Sequence, residues 1–236
     1  FTLSTGTRAR DGVVLCQPLP ANLSYDAGDL SLQTETAPFP GQITTAGELI
    51  AILPALPAEV TVQGQAVPCS TAPGVVLRQG ADAVDILIGG AFWATYHYGH
   101  EFAKPFLAPI LGAYGDPVTR PIDPAITEHP HHRGLFIAHG SVNGVEIWNE
   151  PEDHGCCVQT AMRTEQGAVA ARITTDNIWQ DSRGRPLMAD TRSLTFYALS
   201  AAARIIDVDL LLQAAYGNVE LGATKEAGFL GLRMHS

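Results

Sequence analysis

From Gly74 onward the chain is a succession of strand-length runs separated by turns: "GVVLRQG", "AVDILIGGAFWATYHYG", "RGLFIAHG", "GVEIWNE", "AVAARITTDNIWQD", "LMADTRSLTFYALS" and "RIIDVDLLLQAA". These runs are rich in β-branched and aromatic residues, and none carries the 3.6-residue apolar spacing of an amphipathic helix. The preceding segment, rich in Thr, Pro, Ala and Gly, holds shorter alternating pieces such as "GVVLCQP" and "EVTVQGQAV" between turn clusters. The pattern predicts an all-β chain built as an antiparallel β-sandwich, or as the supersandwich of the sugar-mutarotase type. Residues 1–75 read as an N-terminal β-rich segment or small subdomain, and residues 76–236 as the main sandwich domain. "PFLAPILGAYG" reads as an irregular loop, because Pro105 and Pro109 each lack a backbone N–H. The final element, "ELGATKEAGFLGLRMHS", stops inside an apparent strand, so further residues are expected beyond it and the main domain is expected to be incomplete at its C-terminus.

Charge narrows the partners. A formal net charge of -10 and a pI near 5.1, with no Lys/Arg cluster, argue against nucleic acid. Neutral or cationic small molecules suit this balance, whereas an anionic ligand needs a local exception. No apolar run reaches the roughly 18–20 residues of a membrane span, since "LIAILPALPAEV" is cut by Pro54 and Pro57. A soluble protein is expected, cytoplasmic or exported. No G-x-G-x-x-G opens a helix and there is no P-loop, so no nucleotide cofactor is expected. Cys16, Cys69, Cys156 and Cys157 have no C-x-x-C spacing and read as ordinary buried thiols, with a Cys16–Cys69 disulfide as the alternative.

The chemistry concentrates in "ITEHPHHRGLFIAHGSVNGVEIWNE", residues 126–150. Asn143-Gly144 between apolar alternations is a type I′ hairpin signal. A two-residue turn there pairs Val142 with Val145 and, stepping outward, His139 with Trp148, with Glu146 and Glu150 beside the tryptophan. Pro130 biases His129 toward extended geometry, which places His129 and His131 on one face and His132 on the other. His129, His131 and His139 are the candidate ligands of a divalent metal, although H-P-H-H is not a standard zinc spacing. Alternatively, neutral histidines act as general acid and base around a sugar or other polyol. Arg133 would clamp a carboxylate or polarise a carbonyl.

Isolated histidines such as His97, His100, His154 and His235 read as solvated or hydrogen-bonded side chains. In "TKEAGFLG", Lys225 and Glu226 fall on opposite faces of a strand, where either could line a pocket or simply be solvated. In "YHYGHEFAKPFLAP", Tyr96 and Tyr98 share a face and read as core or as a ligand platform, with Lys104 nearby. Arg120 in "PVTRP" is a second anion contact or a surface residue.

The segments "KPFLAPILGAYGDPVTRP", "HPHHRGLFIAHGSVNGVEIWNE" and "LGATKEAGFLGLRM" resemble the soluble bacterial family labelled methane oxygenase PmoA-like, a domain of otherwise uncharacterised function. The resemblance covers about residues 90–236, and its most specific parts are H-P-H-H-R-G-L and V-N-G-V-x-x-W-N-E. It implies a β-rich fold, a setting in sugar metabolism, and further strands with a W-H-x-R-like segment past the end of this chain. The matching positions are Lys104, Arg120, His129, His131, His132, Arg133, His139, Asn143, Trp148, Asn149, Glu150, Lys225 and Glu226.

Together these readings lead to a carbohydrate-processing enzyme, an epimerase, mutarotase, lyase or hydrolase. His131, His132, His139 and Glu226 would be its catalytic set, working at a sugar carbonyl or anomeric centre. Lys104, Arg120, Arg133, Asn143, Trp148 and Lys225 would bind substrate. A non-catalytic carbohydrate-binding or assembly module and a metal-dependent oxygenase are the alternatives.

Overall fold

A computed structural model describes residues 1–9, 12–22, 25–199, 203–226 and 228–235. Among them are sixteen strands and no helix, and none of the elements is a helix long and apolar enough to cross a membrane. The strands form three antiparallel sheets. The first follows the order β1 (Thr2–Ser4), β6 (Thr61–Pro68), β3 (Gly28–Thr34), β4 (Phe39–Ile43), β5 (Glu48–Ile52) and β2 (Val14–Pro18). The second runs β16 (Leu230–Leu232), β11 (Leu135–Ile137), β10 (Phe106–Ile110), β9 (Ala91–His97), β8 (Ala83–Ile88) and β7 (Val75–Gln79). The third is a meander of β12 (Cys156–Gln166), β13 (Ala170–Gln180), β14 (Pro186–Tyr197) and β15 (Ile206–Gln213).

The second and third sheets make the sandwich. Alternation along β8, β9, β13 and β14 turns Val84, Ile86, Trp93, Tyr96, Ile173, Leu194 and Phe196 into one buried cluster. The first sheet leans on the turn between β12 and β13. Ile50 packs with Val169, Ala170, Tyr197 and Leu199, Gln42 accepts from the Ala170 amide at 3.2 Å and Asp29 from the Ala168 amide at 2.8 Å. Gly167 admits this approach, because a Cβ there would lie 2.5 Å from Gln42 and 2.7 Å from Asp29.

"PFLAP" is not the loop expected from its prolines. It is β10, in the body of the second sheet. The register against β9 breaks between Leu107 and Ile110, so Pro109 sits where no ladder donor is required. "TKEAGFLG" departs in the opposite sense: only its last residues enter β16, and Lys225 and Glu226 lie in an irregular segment. Tyr96 is core, its hydroxyl donating to Gln159 at 3.0 Å. All four cysteines are free, and only Cys157 is buried.

A layer of polar residues crosses the sandwich interior. On β13 and β14 the inward positions run from apolar (Ile173, Leu194) through polar (Thr175, Asn177, Asp190, Arg192) to apolar again (Trp179, Met188). Asp190 is 1% and Arg192 2% exposed. Asp190 accepts from Arg192 through both oxygens, from Asn177 at 2.8 Å and from the Trp179 indole at 2.5 Å. Arg192 also donates to the Cys157 sulfur at 3.2 Å, and burial pushes that thiol up to about 12. A charge pair this deep is held only because nearly every polar atom has a partner.

Candidate functional site

H-P-H-H is a turn and not the extended run expected from Pro130. The His132 amide donates to the His129 carbonyl at 3.0 Å, and His129 adopts φ +48°. Proline's fixed φ suits the second position of such a turn. His129 and His132 therefore do not part to opposite faces. Their rings stack at 5.1 Å and 14°, and His131 stands edge-on to His132 at 4.4 Å. A left-handed non-glycine residue costs about 1 kcal/mol or more, so the turn needs support. Arg120 supplies it, donating to the carbonyls of Glu128 at 2.9 Å, His129 at 2.5 Å and His132 at 2.9 Å.

Arg133, expected to clamp a ligand, instead holds Glu150 two-pronged at 2.7 and 3.0 Å. Lys104 reaches the same carboxylate from the other side at 2.9 Å and also donates to the Trp148 carbonyl at 3.0 Å. Burial pushes the Glu150 carboxyl up, but the Arg133 hydrogen bonds and the Lys104 charge outweigh it and hold the group at about 2. Lys104 is 2% exposed, and burial lowers it, with Glu150 opposing. Its sequence neighbourhood did not reveal Glu150 as the joint of this assembly, since Lys104 is distant in the chain.

The Asn143-Gly144 turn forms as expected, with φ of +51° and +80° and Val142 bridged to Val145. The pairing does not continue outward to His139 and Trp148. Ile147 donates to the His139 carbonyl at 3.3 Å, one position off a regular ladder. Glu146 then draws in the amides of Trp148 and Asn149 at 2.8 and 3.0 Å. This swings Trp148 toward the other end of β11, where its indole donates to His132 Nε2 at 3.1 Å and packs on Phe136.

That hydrogen bond fixes a tautomer. An indole N–H can only donate, so His132 Nε2 carries its lone pair. Burial, followed by the charges of His131 and His129, pushes His132 down to about 4. The ring is neutral at physiological pH, with its proton on Nδ1, which has no protein partner among the described residues. His131 is lowered by burial and by Lys104, and its Nε2 is buried without a partner among the described residues.

Two clefts flank the Arg133–Glu150–Lys104 assembly, and Phe102 lines both. The larger, about 330 Å³, includes Lys104, Glu150, His154 and Cys156 in its lining. The smaller, about 200 Å³, is lined by Arg120, Arg133, His132, Asp123 and apolar residues including Ile126.

The expected catalytic set splits across β11. His139 lies past its far end, with Nδ1 3.1 Å from the Ser141 amide and its ring 5.0 Å from Phe229. Glu226 is its neighbour there, with Oε2 2.8 Å from where a Cβ on Gly140 would stand. Among the described residues no hydrogen bond, ion pair or ring contact joins either to His131 or His132. Likewise, His129, His131 and His139 do not make a metal cluster: no group of three His, Cys, Asp or Glu among the described residues is placed to hold an ion. Asn143 spends its amide on loop backbone, donating to Asn218 and accepting from Glu220. Lys225 is exposed and makes no polar contact among the described residues. Asp123 and Phe102, both cleft residues, carried no sequence signal beyond lying near prolines and aromatics.

No curated protein and no solved structure matches the chain. A family model does, over residues 83–236, more than half of the chain and the whole of both clefts. The chain belongs to DUF6807, a family of unknown function.

Proposed function

We propose that the chain is a carbohydrate-processing enzyme working by acid–base chemistry at a sugar carbonyl held in the smaller cleft. The observation that carries this reading is the fixed tautomer of His132. A neutral imidazole with a spare Nδ1–H can polarise a carbonyl oxygen by hydrogen bonding, as neutral histidines do in some proton-abstracting isomerases. Arg133 lines the same cleft, and its charge would stabilise the negative charge that develops on that oxygen. Asp123 has one carboxylate oxygen accepting from the Ala125 amide at 2.8 Å, and the other is available to take the proton α to the carbonyl. Reprotonation of the resulting enediolate on its opposite face by solvent gives epimerisation; expelling a β-substituent gives elimination. Glu150, held at about 2, is too weak a base for this step and serves to position Arg133.

A cleft of about 200 Å³ suits one sugar ring, being smaller than the ~300–1,000 Å³ of most drug-sized ligand sites. Phe102 gives that ring an apolar wall. The resemblance to the PmoA-like group, with its sugar-metabolism setting, points the same way. His139 and Glu226 take no part in this scheme.

The test is incubation with a panel of aldoses and ketoses in D₂O, following exchange and product by proton NMR. Asp123→Asn should lower exchange about 100-fold or more with an unchanged melting temperature. Sugars that bind without exchange or product would make this a binding module. Exchange that vanishes with chelator and returns with a divalent ion would make it metal-dependent.

A further inference from the structure

We propose that the smaller cleft selects sugars carrying a permanent oxyanion, a carboxylate or a phosphate monoester, and that Arg120 is the residue that reads it. This rests on the carbohydrate reading above. Charges around the turn do not balance. Glu150 serves two cations, Arg133 and Lys104. Glu128 serves Arg233 at 3.3 Å. Arg120 has no carboxylate within ion-pair distance among the described residues; its partners are three neutral carbonyls. Even with Asp123 included, the four cations outnumber the three carboxylates. In a chain of net charge -10, this is the local exception that an anionic ligand requires.

Arg120 is also equipped to bind. A guanidinium has five N–H donors, and the three carbonyls use one on Nη1 and two on Nη2. The Nε–H and a second Nη1–H remain, on opposite edges of the guanidinium, and either can give a carboxylate or phosphate oxygen a single charge-assisted hydrogen bond. Burial and the Arg233 and Arg133 charges disfavour the Arg120 cation, and a bound anion would relieve that repulsion. In such a complex His132 takes the carbonyl end of the sugar and Arg120 its acidic end. The cleft thus orients one ring by two chemically different contacts.

The experiment is calorimetric titration of the full chain with glucose, glucuronate and glucose 6-phosphate, at low and at high ionic strength. Arg120→Lys and Glu128→Gln are compared with the unsubstituted protein. One or both acidic sugars should bind at least about tenfold tighter than glucose, and salt should shrink the preference. The tighter of the two identifies the oxyanion. Arg120→Lys, which keeps the charge but has only three donors, all needed for the three carbonyls, should lose most of the preference. Glu128→Gln removes an exposed negative charge, leaves the carbonyl that Arg120 uses, and should strengthen acidic sugars alone. It keeps the proposal testable if the Arg120 variant unfolds. Equal affinity for all three sugars, or a preference that neither salt nor Glu128→Gln moves, would overturn this inference and leave the enzyme reading standing. Tight binding of acidic sugars without exchange or product would do the reverse.

Discussion

The indole Nε1 of Trp148 lies 3.1 Å from Nε2 of His132, joining a loop after the Asn143-Gly144 turn to the turn that precedes β11. The contact makes the imidazole proton a fixture of Nδ1. Trp148→Phe keeps the packing on Phe136 but removes the donor. In that variant His132 should show mixed tautomers, and its pKa should rise from about 4, because the lost bond favoured the neutral ring. Nitrogen-15 NMR of the imidazoles reads both effects, and unchanged shifts would mean that burial alone sets the tautomer.

Stability should fall with acid in two stages. For His132, the unfolded chain takes up a proton between the ordinary 6.5 and about 4 while the folded ring does not, so stability is full above that window and declines through it. Glu150 is held below its ordinary 4.5, at about 2, so its contribution is present above 4.5 and disappears as pH drops toward 2. Urea melts across this range should show both stages, and His132→Gln should flatten the upper one. Parallel profiles for the two proteins would rule His132 out as its source.

The Asp190–Arg192 pair should be more costly to break than to replace whole. Asp190→Asn leaves a buried guanidinium without its counter-ion and should cost about 3–5 kcal/mol. Replacing Asp190 with Leu and Arg192 with Met together removes the orphaned charge but leaves the Asn177 and Trp179 donors unpaired, so it should recover only part of that loss in denaturant melts. A double variant as unstable as the single one would mean that the layer is needed for packing and not only self-compensating.

The hairpin turn depends on left-handed backbone at two successive residues. Gly144→Ala, at φ +80°, should lose about 1–2 kcal/mol. Asn143→Ala should lose a similar amount through its two bonds to residues 218 and 220, each worth about 1 kcal/mol. Thermal melts of both variants test this, and an unaffected Asn143→Ala would show the 218–220 loop to be held by other contacts.

Local chemistry made much of this protein legible in its sequence. Period-two alternation in "ARITTDNIWQ" and "LMADTRSLTFY" specifies strands because a half-buried strand must show one face to the core. Asn143-Gly144 specifies its turn because few other residues tolerate positive φ twice in succession. The same alternation already placed Asp190 and Arg192 on the inward face with Met188, Leu194 and Phe196, a signal that reading the runs only for apolar residues passes over. The tertiary structure decided the rest. Pro109 could lie within a sheet once the β9–β10 register broke beside it. His129-Pro130 became a turn once Arg120 gathered three of its carbonyls. The histidines parted because β11 lies between His132 and His139, and Glu150 met Lys104 and Arg133 only when β10 and β11 paired. Contacts between residues tens of positions apart leave no periodic trace in a single sequence, because they depend on how strands pack rather than on how each one forms.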